Sequence, residues 1–192
     1  TDGSDPTMPS RVEQCLPSAS IVVGQPSESP PHLANRVLEA TTSQHILLLQ
    51  AGVLPRAGCL GAVLEAFSAH PEAGALALPL HRGGGRIDSS ALSMSRWGRV
   101  LPHHESGADS QAISAVSSVG GAYRREMLEE IDGFDPDLVG ELCDADLCVR
   151  GLLLGYRSMR VGGPGLDAAE SVALLTWQRD AGAQDELRAW AR

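Results

Sequence analysis

Apolar and polar positions alternate along the first 80 residues in blocks that predict strands and helices in turn. Short apolar runs predict strands at residues 20–24, 45–49 and 73–80. Apolar residues at a spacing of three and four predict a helix from Leu33 to about Thr42 and another through Leu60, Val63, Leu64 and Phe67, which ends at His70-Pro71. This alternation predicts crossover connections and an α/β fold whose central sheet is mostly parallel, with helices on both faces.

The pattern changes in the second half of the chain. Residues 82–115 contain glycines, serines and short apolar pieces, which predict a small antiparallel hairpin region. A strand at 115–119, a short helix at 124–131, a helix from Cys143 or Asp144 to Leu154 and a mostly helical tail at 171–192 follow. Since 192 residues with 43% apolar content suit one ordinary core, we expect residues 1–192 to form a single domain.

Charge and cysteine content exclude several classes of protein. The formal charge of -9 argues against a surface for nucleic acid, which would need a basic stripe. All 15 basic residues are Arg, which favours a GC-rich bacterial genome. The four cysteines lack zinc-site spacing and are expected to be reduced and to serve in packing. Without a membrane-length apolar run or a leader pattern, we expect a soluble, cytoplasmic protein.

Nine carboxylates lie between Glu126 and Asp146 with no basic residue among them, and a solvated acidic face is one interpretation of this run. Asp144 and Asp146 stand out because a helix is predicted to begin there and the positive end of its dipole stabilises ionised carboxylates. A positioned carboxylate is what a general base requires. The alternative is that both aspartates simply cap the helix.

Other candidate residues have two interpretations each. Trp97 could stack on a sugar ring or be a partly buried aromatic residue of a hairpin. Arg124 and Arg125 could contact a phosphate or pair with the acidic loop. The segment His103-His104-Glu105 could contribute to a metal site, although a pair of loop histidines is more often exposed.

Several segments in order resemble one enzyme family. The segments are Gly120-Gly121 before Arg124-Arg125-Glu126, Asp132-Gly133-Phe134-Asp135, Cys143-Asp144-Ala145-Asp146-Leu147 and Gly155-Tyr156-Arg157. They are similar to motifs of the inverting glycosyltransferases of family two, in which a turn of small residues leads to an Arg-Arg or Arg-Glu helix. The acidic segment resembles in particular the Asp-Asp-Ala-Asp form of galactofuranosyltransferase-like members, and the hairpin described next resembles that of rhamnosyltransferase-like members. Gly85-Arg86-Ile87-Asp88-Ser89 resembles the hairpin of the same family.

The resemblance implies a GT-A fold and a reaction. Asp144 would deprotonate an acceptor hydroxyl of a glycan or small molecule, Asp146 would support it, and Asp2 would contact the nucleotide of a nucleotide-sugar donor. Arg124, Arg125 and Trp97 would be substrate-binding residues. The anomeric carbon would be inverted.

The chain departs from the family on the donor side. Where the family has an Asp-x-Asp motif for Mg²⁺ or Mn²⁺, this chain has Gln50-Ala51-Gly52, so the expected metal ligands are missing. Gly162-Gly163-Pro164-Gly165 occupies the region in which the family has a metal-site histidine. The first strands of the family also have no counterpart. A metal-independent enzyme would need Arg124, Arg125 or Arg160 instead.

Two other interpretations therefore remain open. The chain could be a non-catalytic GT-A-like module that binds a glycan, a nucleotide or a protein after losing the metal site. It could also be one part of an assembly, in which a second copy or a partner chain covers the edge of the sheet near the N-terminus.

Overall fold

Four α-helices and twelve strands occupy the part of the chain that the computed structural model describes, residues 28–103, 112–138 and 140–169. The helices are α1 (Pro30–Ala40), α2 (Cys59–Ala69), α3 (Arg125–Glu130) and α4 (Glu141–Leu153). The strands are β1 (His45–Leu49), β2 (Val53–Pro55), β3 (Ala73–Ala77), β4 (Pro79–His81), β5 (Ile87–Ser89), β6 (Ala91–Met94), β7 (Val100–Pro102), β8 (Ala112–Ile113), β9 (Ala115–Val116), β10 (Gly120–Arg124), β11 (Arg157–Arg160) and β12 (Leu166–Ala168). A 3-10 turn lies at Gly83–Gly85. The predicted strand at 20–24 and the predicted tail helix at 171–192 lie outside the described residues.

The central sheet is mixed, with the strand order β1-β10-β3-β11-β8. β11 runs parallel to β3, whereas β10 is antiparallel to both β1 and β3. The expectation of a mostly parallel sheet was therefore wrong. β1 and β3 do run in the same direction, as the alternation of strand and helix predicts, but β10 arrives later in the chain and lies between them. Local periodicity carries no information on which later strand fills such a gap.

Helices cover both faces of this sheet, as predicted. On one face, Ala75 and Tyr123 pack with side chains of α3 and α4, and α1 packs at the edge of that cluster. On the other face, Leu76 and Ala122 pack against α2. Successive strand residues point to opposite faces, so the short strands β3 and β10 supply both cores.

Two smaller sheets extend the fold beyond the central one. Their strand orders are β2-β12-β4-β5 and β7-β6-β9. The antiparallel pairs β4·β5 and β6·β7 confirm the predicted hairpin region. The predicted strand at 73–80 breaks at Leu78, because the Leu78 amide donates to Ser90 Oγ at 2.8 Å and the chain then enters the second sheet as β4.

Three further expectations needed correction. Leu60 and Leu64 of α2 are 56% and 53% exposed, and the buried stripe is formed by Cys59, Val63 and Phe67. Both stripes are apolar, so spacing alone could not choose between them. The pair Gly120-Gly121 belongs to strand β10 and not to a turn. Helix α4 begins at Glu141, before the predicted start.

Asn35 of α1 fixes the loop that connects α3 to α4. Its Nδ2 donates to the Phe134 carbonyl at 2.8 Å, and its Oδ1 accepts from the Phe134 amide at 2.8 Å. Phe134 in turn is buried and contacts Tyr123 edge to face, with ring centroids 5.9 Å apart. A single side chain thus satisfies both backbone groups of one core residue.

Asn35→Ala is expected to lower the free energy of unfolding by about 2–3 kcal/mol, because two partly buried backbone groups lose their hydrogen bonds. Urea unfolding measures this effect. The neighbouring Arg36→Ala is the matched control, since the Arg36 side chain is exposed and its ion pair within the described residues is with Glu28; its effect should stay below about 1 kcal/mol. Equal effects of the two changes would contradict the role given to Asn35.

Candidate functional site

Three central strands end, and β10 begins, at the same end of the sheet. This end is called here the carboxyl edge. Leu49 of β1 is level with Gly120 of β10, and Ala77 of β3 is level with Arg160 of β11. Gln50 follows β1 at this edge, and its amide donates to the Val119 carbonyl at 3.1 Å. The end of β1 is thereby tied to the turn 117–119 that precedes β10.

Asp144 contacts the same turn, 117–119, through Ser118. It lies in the first turn of α4 and is 3% exposed. Its Oδ2 accepts hydrogen bonds from the Ser118 amide at 3.0 Å and from Ser118 Oγ at 3.3 Å. The structure therefore brings the predicted base and the predicted metal-motif position together, with only the turn 117–119 between Asp144 and Gln50.

Neither aspartate of the acidic motif caps the helix. Gly140 occupies the N-cap with φ 57°, and no side chain caps the helix there. The Asp144 amide instead bonds to the Gly140 carbonyl at 3.4 Å, inside the helix. The capping interpretation was therefore wrong. Asp144 is buried within the first turn of the helix.

Burial dominates the electrostatics of Asp144. Desolvation raises the pKa of its carboxyl to about 7, although the two hydrogen bonds from Ser118 act in the opposite direction. The like charge of Glu141, which is buried one helical turn earlier, raises the pKa further. A carboxylate with a pKa near neutrality is suited to accept a proton at physiological pH.

Asp146 lies two residues further along α4 and serves another contact. Its Oδ2 pairs with Arg150 Nε and Nη2, each at 2.7 Å. Arg150 Nη1 donates to the Ile131 carbonyl at the end of α3. This ion pair holds α4 to the preceding helix, and the structure does not direct Asp146 to the turn 117–119.

The segment Gln50-Ala51-Gly52 forms a tight turn, closed by a hydrogen bond from the Val53 amide to the Gln50 carbonyl at 3.0 Å. Gly52 has φ 89°, which favours glycine. Its carbonyl accepts from the Ala169 amide at 3.0 Å. The turn supplies one side-chain amide from Gln50 and no carboxylate, so it does not fit Mg²⁺ or Mn²⁺, which prefer carboxylates. In the described ranges, no three His, Cys, Asp or Glu side chains are grouped to hold a metal ion.

Arg124 and Arg125 lie at the opposite end of β10 from this turn. Arg124 donates to the carbonyls of Phe67, His70 and Ala73. Arg125 donates to the Leu38 and Ser43 carbonyls and to Thr41 Oγ1. Both guanidinium groups therefore tie chain segments together at the amino ends of β1 and β3, and the structure does not bring them to Asp144.

The other predicted residues are also apart from the carboxyl edge or cannot be placed. Trp97 is 74% exposed at the tip of the β6·β7 hairpin, six residues beyond Ala91, which pairs with Val116 near the edge. His103 Nδ1 lies 2.6 Å from Ser93 Oγ. Asp2, His104 and Glu105 lie outside the described residues.

Sequence reasoning missed Ser118 and Glu141. The turn residues Ser117-Ser118-Val119 follow an apolar pair and were interpreted as the end of a strand. Glu141 was counted among solvated carboxylates, although it is 3% exposed. The described cysteines agree with the packing prediction, since Cys59, Cys143 and Cys148 are buried, and burial raises the thiol pKa of Cys143 to about 12 and of Cys148 to about 11.

No helix in the described ranges combines the length and apolar character needed to cross a bilayer. No family model matches the sequence, and no curated protein matches it. Solved structures do match. The mannosyltransferase PcManGT from Pyrobaculum calidifontis, in complex with GDP-Man and Mn²⁺, is 19% identical with a TM-score of 0.58, over 98% of this chain and 50% of that one.

Two further structures are similar. GalNAc-T7 with UDP, GalNAc and Mn²⁺ is 9% identical with a TM-score of 0.66, over 92% of this chain and 37% of that one. TarS 1-349 of S. aureus in complex with UDP is 15% identical with a TM-score of 0.59, over 88% and 49%. The chain thus spans half or less of the length of these proteins. At such identities the likeness shows the fold alone, which is GT-A-like.

Proposed function

We propose that the chain transfers a sugar from a nucleoside diphosphate sugar to an acceptor hydroxyl, with Asp144 as the general base. The observation that carries this proposal is the buried Asp144 carboxylate, held by Ser118 beside the turn that contacts Gln50. A glycosyltransferase needs its base at the edge of the sheet where donor and acceptor meet. The GT-A-like fold provides that edge.

The proposed reaction is a single displacement. Asp144 takes the proton of the acceptor hydroxyl, and the acceptor oxygen forms a bond to the anomeric carbon. The bond from that carbon to the diphosphate oxygen breaks, and the nucleoside diphosphate leaves with the electron pair. One displacement inverts the anomeric carbon. The hydrogen bonds from Ser118 keep Oδ2 fixed, so that the carboxylate does not have to be ordered at each turnover.

The similar structures support a nucleotide-bearing donor, because GDP-Man is bound in one and UDP in two others. Two of these complexes also contain Mn²⁺. The turn Gln50-Ala51-Gly52 does not fit that ion, so no step proposed for this chain passes through a metal.

A second candidate function is a non-catalytic module with the same fold. Two observations favour it: Asp144 is 3% exposed, which limits access of an acceptor, and the turn after β1 has no carboxylate. Such a module would bind a nucleotide or a glycan without turnover.

Turnover distinguishes the two candidates. The chain is incubated with UDP-sugars and GDP-mannose, with and without Mn²⁺, while calorimetry follows binding and a coupled assay follows release of nucleoside diphosphate. Release that depends on an acceptor, and that rises with pH through about 7, is expected for the enzyme, because Asp144 must be ionised to accept a proton. Binding without release supports the module. If neither binding nor release is observed, a nucleoside diphosphate sugar is rejected as the ligand in both proposals.

A further inference from the structure

We propose that the Ser118 hydroxyl relays the proton of the acceptor to Asp144, so that the acceptor contacts Ser118 and does not have to enter the buried site of the carboxylate. This inference rests on the proposed function. The main difficulty of that function is that Asp144 is 3% exposed, which keeps an acceptor away from its oxygens. A serine hydroxyl can donate one hydrogen bond while it accepts others, as a relay requires.

Ser118 holds Asp144 through two donors of different kinds. Its backbone amide donates to Asp144 Oδ2 at 3.0 Å, and its hydroxyl donates to the same oxygen at 3.3 Å. The amide bond is the shorter of the two and does not depend on the side chain. The hydroxyl can therefore exchange its proton with Asp144 while the amide keeps the carboxylate in place.

The other groups around Asp144 are too deeply buried to receive a proton from an acceptor. Among the described residues, the titratable groups that interact with the charge of Asp144 are Glu141, Tyr123, Cys143 and Cys148, and each is at most 3% exposed. Burial also raises the thiol pKa of Cys143 to about 12 and of Cys148 to about 11, so both thiols keep their protons.

Two serines of the turn 117–119 contact Asp144, and exposure separates them. The Ser117 side chain also hydrogen-bonds to the carboxylate, but Ser117 is 1% exposed, and its Oγ accepts from the Val119 amide at 3.3 Å. Ser118 is partly exposed. Because the turn lies at the carboxyl edge, Ser118 connects Asp144 to the surface at which donor and acceptor are proposed to meet.

The proposed relay moves two protons in one step. The proton of the acceptor hydroxyl passes to Ser118 Oγ while the Ser118 proton passes to Asp144 Oδ2, so the serine carries no charge at any stage. The acceptor oxygen forms its bond to the anomeric carbon, and the nucleoside diphosphate leaves with the electron pair of the bond that breaks. Burial raises the pKa of Asp144 to about 7, so the carboxyl can hold the proton near neutral pH and then return it to solvent by the same path.

Ser118→Ala tests the relay because it removes the hydroxyl and keeps the amide bond to Asp144. The single-turnover rate of nucleoside diphosphate release, with saturating UDP-sugar or GDP-mannose and with glycerol as the acceptor, should fall about 10²-fold. The affinity for the donor, measured by calorimetry, should not change. Ser118→Thr retains a hydroxyl and should recover most of the rate. Ser114→Ala is the matched control, since Ser114 is an exposed serine between β8 and β9, and it should leave the rate unchanged.

Two further measurements distinguish a relay from a hydroxyl that only positions the carboxylate. In mixtures of H₂O and D₂O, the single-turnover rate of the original chain should follow a curve against the deuterium fraction, because two protons move, whereas transfer of one proton gives a straight line. The double variant Ser118→Ala/Asp144→Asn should be no slower than Asp144→Asn alone, because both changes interrupt one path. Thermal unfolding checks that each variant is folded.

The outcomes separate the relay from the proposed function. An unchanged rate of Ser118→Ala, a straight or absent dependence on deuterium, or losses that add in the double variant overturns the relay and leaves Asp144 as a base that acts directly. If the original chain releases no nucleoside diphosphate from any of these donors, to glycerol or to water, the proposed function is overturned as well.

Discussion

Asp144→Asn is expected to reduce sugar transfer by about 10²- to 10⁴-fold and, at the same time, to stabilise the fold at pH 8. The two effects have one cause. The carboxylate is buried with 3% exposure, and Asn can keep the acceptor for the Ser118 amide without carrying a charge. If Asp144 were purely structural, its replacement would not reduce sugar transfer. If it were exposed, its replacement would not stabilise the fold.

The gain in stability depends on pH in a defined direction. The folded-state pKa of Asp144 is about 7, above its ordinary value of 3.8, so the folded chain binds a proton that the unfolded chain has released. The contribution of this bound proton to the free energy of unfolding is fully present below pH 3.8 and is lost as the pH rises through about 7. The difference between the two pKa values corresponds to at most roughly 4 kcal/mol. The variant should therefore match the original chain at pH 3.5 and exceed it at pH 8.

Urea unfolding at the two pH values measures the stability, and the assay of nucleoside diphosphate release measures transfer. Asp146→Asn is the control, because it removes a charge from the same helix without touching the turn 117–119. It breaks the pair with Arg150 and should not raise stability at pH 8. If Asp144→Asn destabilises the chain at pH 8, the burial argument fails; if transfer persists, Asp144 is not the base.

Asp88→Asn is expected to lower the free energy of unfolding by about 3–5 kcal/mol. Asp88 pairs with Arg82 at 2.6 Å, and the Arg82 side chain is only 3% exposed. Arg82 also donates to the Ala169 carbonyl at 3.1 Å, which connects the β4·β5 hairpin to the end of β12. Removing the carboxylate takes a counter-charge away from a buried guanidinium ion, and breaking one side of a buried pair costs more than the pair itself contributes.

Arg86 offers a matched control for this ion pair. It approaches the same Asp88 oxygen at 3.4 Å, but its side chain is 60% exposed. Arg86→Gln should therefore change the unfolding free energy by less than about 1 kcal/mol in a urea titration. A loss below about 1 kcal/mol for Asp88→Asn would mean that water reaches Arg82 and that the pair is not effectively buried.

The sequence predicted elements that are determined by their own residues, such as strands formed by a short apolar run. β1 was predicted with the bounds 45–49 that it has, because an apolar run lies between polar flanks. Helix α1 begins at Pro30, earlier than predicted. Pro30 and Pro31 were left outside the predicted helix, which was placed from Leu33, although proline is well suited to the first position of a helix.

Pairings between residues that are distant in the sequence could not be predicted from local patterns. Gly120-Gly121 looked like a turn, yet both lie in β10, where a Cβ at Gly121 would be 2.8 Å from the Ser117 carbonyl oxygen. Arg124 and Arg125 are close to the acidic run in sequence, but β10 carries them to the far end of the sheet. Asp144 could be selected from its motif, whereas its partner Ser118 could not, since 26 positions separate them.

The turn after β1 also constrains how this chain can change. An aspartate in place of Gly52 would have to adopt a positive φ of 89°, in a turn whose carbonyl is already bonded by Ala169. A change at Gln50 alone would supply one carboxylate of a pair. A two-carboxylate motif at this turn would thus need two substitutions, of which the one at Gly52 brings backbone strain and the one at Gln50 alone supplies half of the pair, so neither single change creates a metal site.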